Sequence, residues 1–213
     1  MSTLIDFILH IDAHLVNIVT TFGNWTYLIL FAIIFIETGA VIMPFLPGDS
    51  LLFAASALTA NPTYGLQPWI FVVIFLIASI GGDSLNFYLG SKFGELIPRH
   101  KLLGRFIKEK DLQSARNFFD KYGAWAIFLA RFMPIIRTLV PFVAATSNFS
   151  YKKFVKYNIP ACITWVIICC GGGHFFGNIP FVKEHFSMVV IGIVLISLIP
   201  AIVGFLKGKL SKS

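Results

Sequence analysis

The sequence has few charged residues. Asp, Glu, Lys and Arg make up 13% of its 213 residues, whereas hydrophobic residues make up 57%. The mean hydropathy is +0.82. Because a soluble domain needs a charged, hydrated surface, this composition excludes the soluble globular class and is typical of an integral membrane protein. The length fits one membrane domain.

Cysteine is also rare, and its placement excludes two kinds of site. All three cysteines lie in one apolar segment, without a CxxC pair or a histidine at a zinc-ligand spacing. The sequence therefore predicts neither a disulfide framework nor a zinc centre. We expect no metal ion and no cofactor, and we expect the cysteines to be packing residues. They are Cys162, Cys169 and Cys170.

The first residues lack the positive charge that opens a secretory signal peptide. They carry Asp6 and no Lys or Arg, so we expect no signal to be removed. Elsewhere 17 Lys and Arg exceed 10 Asp and Glu, which gives a net charge of +7. These basic residues fall in loops beside apolar spans, as in membrane proteins. We therefore expect membrane lipid, and no nucleic acid, as the partner.

Residues 37–49 stand out inside a long apolar region. The flanking segments 13–36 and 50–82 contain no Asp, Glu, Lys or Arg. Acids within a membrane segment cost free energy and by default mark a functional site, and prolines break helix geometry. A broken backbone at membrane depth survives only inside protein or beside a watery cavity. The stretch therefore predicts the tip of a re-entrant hairpin, with its acids at Glu37 and Asp49 and its breaks at Pro44, Pro47 and Gly48.

A second stretch, residues 130–142, has the same design with the opposite charge. Two arginines and two prolines lie between the uncharged segments 122–130 and 138–151. Opposite charges in two broken membrane segments predict mutual pairing or a shared polar cavity. The arginines are Arg131 and Arg137, and the predicted breaks are Pro134 and Pro141.

Each predicted hairpin has an amphipathic segment before it and an apolar span after it. Apolar residues recur at steps of three and four over residues 1–22, which predicts a helix in the membrane interface. Residues 67–89 predict the first spanning helix. After the charged stretch 92–121 and the second hairpin, residues 157–182 and 186–206 predict two more spanning helices.

The sequence thus predicts an all-α integral membrane fold built as an inverted repeat. A first repeat with the acidic hairpin covers residues 1–91, a second with the arginine hairpin covers 105–182, and a final transmembrane helix covers 186–206. The Lys and Arg excess over 92–121 predicts a cytoplasmic loop. Counting crossings from this loop puts the N-terminus outside and the C-terminus in the cytoplasm. The two repeats then have opposite orientations, as in transporters.

A set of short motifs lies in a fixed order along the chain. The motifs are Glu37-x-Gly39, Pro44-Phe-Leu-Pro47-Gly48-Asp49-Ser50, Gly82-Asp83, Tyr88-x-Gly90, Phe128-x-x-Arg131-Phe-x-Pro134-x-x-Arg137-Thr138 and Trp165. Each motif is weak alone, but the ordered set resembles the DedA family of bacterial inner-membrane proteins, part of the broader VTT-domain group. The resemblance covers nearly the whole chain.

This resemblance implies a multi-pass protein of the bacterial inner membrane that moves lipids across the bilayer. Members of the family are associated with the recycling of undecaprenyl phosphate, and some with phosphatidylethanolamine. A dependence on proton motive force is also associated with the family. The acids and arginines that are essential in the family correspond here to Glu37, Asp49, Arg131 and Arg137.

The charges also suggest how such a flippase works. Arginine presents a planar fork of donors that matches phosphate oxygens, and a break at Pro134 lets Arg131 and Arg137 reach one cavity. Burial raises the proton affinity of a carboxylate, whereas a nearby arginine lowers it. We therefore expect competition between phosphate and carboxylate for the arginines to act as a proton-coupled switch. The expected headgroup ligands are Arg131 and Arg137, and the expected proton-coupling groups are Glu37, Asp49 and Asp83.

Other interpretations stay open at this point. The acids and arginines could form a static ion-pair network, as in a membrane scaffold without transport. Glu37, Asp49 and Asp83 could instead bind small cations in a proton-coupled monovalent cation antiporter. We expect no enzyme activity, because a lipid phosphatase needs a nucleophile or a histidine acid beside the arginines. Asp83 either caps a helix break or lies deep in the site. Small-residue helix faces permit a homodimer without requiring one.

Overall fold

The computed structural model describes residues 11–39, 48–94, 109–177, 179–180, 188–189 and 192. Every regular element within these residues is helical, which confirms the predicted all-α class. The first half of the chain contains α1 (Ile11–Phe22), α2 (Trp25–Gly39), α3 (Gly48–Leu58) and α4 (Pro68–Phe93), with a 3-10 turn at Pro62–Tyr64. The second half contains α5 (Glu109–Tyr122), α6 (Trp125–Ala130), α7 (Pro134–Thr146) and α8 (Tyr151–Phe176).

In each half, the first helix that the structure describes is short and is followed by a glycine. Gly23 follows α1 with φ +52°, and Gly123 follows α5 with φ +55°. Glycine adopts this left-handed backbone without the steric penalty of a Cβ, so it ends a helix and reverses the chain. A tryptophan then begins the next helix in both halves, Trp25 in α2 and Trp125 in α6. The two halves therefore share one order of elements.

A long helix follows the shorter helices in each half: α4 in the first and α8 in the second. Each has 26 residues and a strongly apolar composition. At 1.5 Å per residue such a helix is about 39 Å long, which exceeds the ~30 Å hydrocarbon core of a bilayer. Within the described ranges, these two helices are long and apolar enough to cross a membrane, by length and composition.

The shorter helices pack in an interlocked pattern around α4 and α8. The helix that follows the glycine in each half contacts the long helix of its own half: α2 packs on α4, and α6 packs on α8. The next helix contacts the long helix of the other half: α3 packs on α8, and α7 packs on α4. Neither half can therefore bury its apolar surface without the other.

Among the described residues, two apolar clusters form the core. One lies among α1–α4 and α8 and includes Phe71, Phe75 and Trp165, and the other lies among α4–α8 and includes Phe142 and Phe154. On the outer surfaces of α4 and α8 large apolar side chains are exposed instead, as expected for helices that contact lipid. They include Trp69, Val73, Ile77, Ile163, Ile167 and Ile168.

The predicted spanning helices agree with α4 and differ at α8. The prediction over 67–89 corresponds to α4, whereas the helix predicted over 157–182 begins earlier, at Tyr151, and ends at Phe176. Lysines 152, 153 and 156 therefore lie in the first turns of α8, exposed, rather than before it. Lysine is compatible with the end of an apolar helix because its long side chain can extend to water.

The predicted break at Pro141 is wrong, because this proline lies inside α7. Other predictions fall outside the described residues. They are the breaks at Pro44 and Pro47, the first ten residues of the interfacial helix and, apart from residues 188–189 and 192, the final helix at 186–206.

Candidate functional site

Arg137, on α7, contacts the two acids that flank the end of α2 and the start of α3. Its Nη1 donates to Oδ1 of Asp49 at 2.7 Å, and its Nη2 donates to Oε1 of Glu37. Glu37 lies in the last turn of α2 and is buried, and Asp49 lies in the first turn of α3. A carboxylate is favoured at that position because the helix dipole is positive there. One guanidinium group therefore holds the ends of three helices together.

Gly48 makes room for this ion pair. A Cβ built on Gly48 would lie 2.5 Å from Oε2 of Glu37 and 3.2 Å from Nη2 of Arg137. Real Cβ atoms do not approach other atoms as closely as the first of these distances. The lack of a side chain at position 48 thus lets the backbone of α3 approach the ion pair.

A second ion pair lies deeper in the protein. Arg131, in the turn between α6 and α7, donates from Nη1 to Oδ2 of Asp83 on α4 at 2.6 Å. The two side chains are 4% and 3% exposed, so both charges are removed from water. The thiol of Cys162 on α8 lies 3.5 Å from the same carboxylate oxygen. Of the two interpretations of Asp83, the structure supports a deep position rather than a cap, since the residue lies inside α4.

Trp165, on α8, connects the two ion pairs. Its indole ring centroid lies 4.3 Å from Cζ of Arg131 and 5.5 Å from Cζ of Arg137. Both distances fall within the ~6 Å range of cation–π attraction. Its Nε1 donates to Oδ1 of Asp49 at 2.7 Å. We call this arrangement the ion-pair cluster, and its members are Glu37, Asp49, Asp83, Arg131, Arg137 and Trp165.

Neutral hydrogen bonds fix the helices around the ion-pair cluster. Asn86, one turn after Asp83 on α4, is fully buried. Its Nδ2 lies 2.7 Å from the carbonyl oxygen of Thr138 on α7 and 3.4 Å from that of Thr38 on α2. One amide thereby joins α4 to the helices that carry Arg137 and Glu37.

The cluster retains unused hydrogen-bonding capacity. Oε2 of Glu37 and Nε of Arg131 are buried, and neither has a hydrogen-bond partner among the described residues. A buried polar atom without a partner costs about 1–3 kcal/mol. Chemically, one of these atoms can take a proton and the other can donate to an anion.

The structure brings five of the residues singled out in the sequence into one place. Glu37, Asp49, Asp83, Arg131 and Arg137 all belong to the ion-pair cluster. Arg131 lies in the helix interruption between α6 and α7, and Arg137 lies in the first turn after it, in the helix that begins at Pro134. No group of three or more His, Cys, Asp or Glu side chains in the described ranges could hold a metal ion.

Sequence reasoning missed the contacts of three residues in the site. Trp165 entered only as part of a motif, and neither Asn86 nor Cys162 was assigned a contact. A signal existed for two of them. Tryptophan in membrane proteins concentrates at the interfaces, whereas Trp165 lies in the middle of a long helix. Asn86 is an amide in an apolar span, and such groups usually bond across helices.

The comparisons with known proteins cover the same residues. The family model of the VTT domain matches residues 46–175, a range that contains the ion-pair cluster except Glu37. Protein DedA of Escherichia coli (strain K12) is 44% identical over 209 residues, which span 97% of this chain and 94% of that protein.

More distant relatives cover most of the chain as well. Uncharacterized membrane protein Rv0364 of Mycobacterium tuberculosis is 35% identical over 85% of this chain and 79% of its own length. Inner membrane protein YghB of Escherichia coli (strain K12) is 32% identical over 87% and 80%. No solved structure matches the chain.

Proposed function

The chain belongs to the VTT-domain family of membrane proteins, and we propose that it is a lipid transporter of the bacterial inner membrane. Its cargo is a polyprenyl phosphate such as undecaprenyl phosphate, or a related phospholipid, and its transport is coupled to protons. The observation that carries this proposal is the ion-pair cluster, in which Arg131 and Arg137 together hold three carboxylates and both lie against one indole ring.

A phosphate headgroup fits the arginines because it resembles their present partners. Carboxylate and phosphate are both oxyanions, and the arginine fork binds either through parallel charged hydrogen bonds. The Nη atoms of Arg137 already bind two separate carboxylates, so the same donors match two oxygens of one phosphate. The unpartnered Nε of Arg131 adds a donor. In the proposed step the phosphate replaces the carboxylates and the lipid tails stay in the bilayer.

Charge balance couples this exchange to protons. The cluster holds three carboxylates, Glu37, Asp49 and Asp83, against two guanidinium groups, so 2 − 3 gives a formal charge of −1 when all are ionised. A phosphate that enters adds further negative charge to a buried site, which is costly unless it is neutralised. Protons on the displaced carboxylates provide the neutralisation. Phosphate entry and proton uptake therefore occur together.

The proposal includes the inverted repeat and the re-entrant hairpins. α2 has 15 residues, α3 has 11 and α7 has 13. Fifteen residues extend about 22 Å, short of the ~30 Å hydrocarbon core, which supports limbs that enter the bilayer and return. α3 packs on the long helix of the second half, and α7 packs on the long helix of the first half. This reciprocal packing supports a two-fold relation between the halves. An N-terminus outside and a C-terminus in the cytoplasm complete this arrangement.

Transport in this proposal includes no chemical step, metal ion or cofactor. A phosphatase would need a nucleophile or a proton donor such as histidine beside the arginines. The imidazole of His174 on α8 instead contacts the hydroxyl of Thr59 at the end of α3, with Nδ1 2.7 Å from Oγ1. The pairing of each acid with an arginine also favours anion binding over the cation exchange of an antiporter.

The test is transbilayer movement of undecaprenyl phosphate in proteoliposomes, with and without a pH gradient. Wild type should move the lipid, Arg137→Ala and Arg131→Ala should not, and Glu37→Gln and Asp49→Asn should lose the response to the gradient. Arg116→Ala, a half-exposed arginine on α5, is the matched control and should retain transport. If folded wild type moves no lipid but exchanges potassium or sodium for protons, the protein is an antiporter and the proposal fails.

A further inference from the structure

A cleft opens on the surface where α4 meets the start of α8. Its volume is about 320 Å³, near the lower end of the roughly 300–1,000 Å³ typical of ligand pockets. Four of its lining residues recur at steps of three and four on one face of α4, and the fifth is the first residue of α8. They are Ser84, Phe87, Tyr88, Ser91 and Tyr151.

The cleft has an apolar floor and one available hydroxyl donor. The hydroxyls of Ser84 and Ser91 donate to carbonyl oxygens of α4, at 2.7 Å and 2.8 Å. The hydroxyl of Tyr151 donates to Oγ of Ser84 at 3.1 Å. The hydroxyl of Tyr88 has no hydrogen-bond partner within the described ranges, and this side chain is 53% exposed. Phe87 forms the buried floor. Tyr88 can therefore donate to a molecule that lies against Phe87.

Lysines adjoin the lining residues of the cleft, in space or along the chain. Nζ of Lys92 lies 5.8 Å from the ring centroid of Tyr88. Lys152 and Lys153 directly follow Tyr151 and are exposed. None of the five lining residues is acidic. An apolar floor with a lysine beside it is complementary to an amphiphile with an apolar chain and a phosphate head.

The cleft also lies next to the ion-pair cluster. Ser84 directly follows Asp83, which binds Arg131. Phe87 follows Asn86, which joins α4 to α2 and α7. One side of α4 therefore faces the cluster and an adjacent side lines the cleft.

We propose that this cleft is the lateral docking site where the transported lipid phosphate binds before it reaches the arginines. Lys92 and the hydroxyl of Tyr88 bind the phosphate, and the first part of the chain lies against Phe87. The inference rests on the proposed function, because it names the route to the same site. Its occupant is a single-chain polyprenyl phosphate and not a two-chain phospholipid, since the volume of about 320 Å³ suits a headgroup and part of one chain.

Photo-crosslinking tests the docking site. The full-length protein is placed in liposomes with a diazirine-labelled polyprenyl phosphate, and the labelled peptides are identified by mass spectrometry. Label should appear on residues 84–91 of α4. Tyr88→Phe and Lys92→Gln should each lower the labelling roughly tenfold, the effect of losing one hydrogen bond or charge contact to an ionised group. Ser84→Leu, which fills the cleft, should abolish it.

A matched control separates the cleft from general damage. Thr164 on α8 is half-exposed, and its hydroxyl donates to the carbonyl oxygen of Pro160 at 2.8 Å, as Ser84 does to Ile80. Thr164→Leu should leave the labelling unchanged. Equal labelling of the cleft by a diazirine phosphatidylglycerol, or none by the polyprenyl phosphate, overturns the docking site. Labelling without transport refutes the proposed function alone, and transport that survives Ser84→Leu refutes the docking site alone.

Discussion

Trp165 donates its indole N–H to Oδ1 of Asp49 at 2.7 Å, and this oxygen also accepts from Arg137. The ring of the same tryptophan lies against the guanidinium groups of both arginines. The position of one side chain on α8 therefore depends on both ion pairs at once. A ligand that displaces Asp49 from Arg137 also removes the hydrogen-bond acceptor of Trp165. Because the ring of Trp165 lies against Arg131 as well, we expect this change to affect the second ion pair.

Substitutions of Trp165 separate its two contacts. Trp165→Phe keeps a ring beside the arginines and removes the hydrogen bond to Asp49, which should cost about 1.5–3 kcal/mol for a bond to a charged group. Trp165→Leu also removes the cation–π contacts and should cost more. The unfolding temperature in detergent should therefore be highest for wild type, lower for Trp165→Phe and lowest for Trp165→Leu. Equal unfolding temperatures for all three proteins would show that the indole does not hold the cluster.

A methyl group at position 48 should disrupt the ion pair of Glu37 with Arg137. The new Cβ of Gly48→Ala would lie 2.5 Å from Oε2 of Glu37, and overpacking of this kind costs about 1–3 kcal/mol. We expect a lower unfolding temperature and impaired lipid transport. The matched control is Gly171→Ala on α8, where the added Cβ meets nothing within 4 Å. This change should leave the stability of the protein unchanged or raise it by up to about 1 kcal/mol. Equal effects of the two substitutions would show that a Cβ at position 48 does not disrupt the ion pair.

Substitutions of the buried pair of Arg131 with Asp83 test whether the pair only stabilises the fold or also takes part in transport. Arg131→Met alone leaves the Asp83 carboxylate buried and uncompensated, which should cost about 3–5 kcal/mol. Adding Asp83→Leu replaces the whole pair with apolar groups and should restore most of the stability. Transport should remain absent in the stable double variant, as measured in proteoliposomes. Transport restored together with stability would mean that the pair is only structural.

Lysine should not replace arginine at position 137. The two Nη atoms of Arg137 bind Asp49 and Glu37 separately, whereas a lysine ammonium is a compact charge at the end of a flexible chain. We expect Arg137→Lys to keep the fold and to lose at least about tenfold in transport rate, the effect of one weakened charged hydrogen bond. The comparison is Arg116→Lys on α5, which should transport at the wild-type rate. Undiminished transport by Arg137→Lys would show that the fork geometry is not used.

The sequence predicted which charged residues belong to the site better than it predicted which acid pairs with which arginine. Charges in apolar runs are conspicuous because burial makes them costly, and this rule selected Glu37, Asp49, Arg131 and Arg137. It could not assign Asp83 to Arg131 or both remaining acids to Arg137. Those pairings depend on how α7 and the turn before it meet α2, α3 and α4, a relation between distant segments that has no local signature.

Local rules also failed where packing overrides them. Pro141 carries the usual signal of a helix break, yet α7 continues through it. A proline removes one backbone hydrogen bond, and neighbouring helices can compensate for this loss in membrane proteins. Here α7 is held by α4 and α5. In the same way, the interlocked packing of α3 on α8 and of α7 on α4 follows from tertiary contacts, and hydropathy does not encode it.

Proton uptake on lipid binding tests the central claim, that the phosphate replaces the carboxylates on the arginines. Calorimetric titration of the purified protein with undecaprenyl phosphate, in two buffers of different ionisation enthalpy, counts the protons taken up. Wild type should take up more protons than Glu37→Gln or Asp49→Asn, and Arg137→Ala should bind the lipid weakly. Tight binding with the same proton uptake in all four proteins would contradict the exchange.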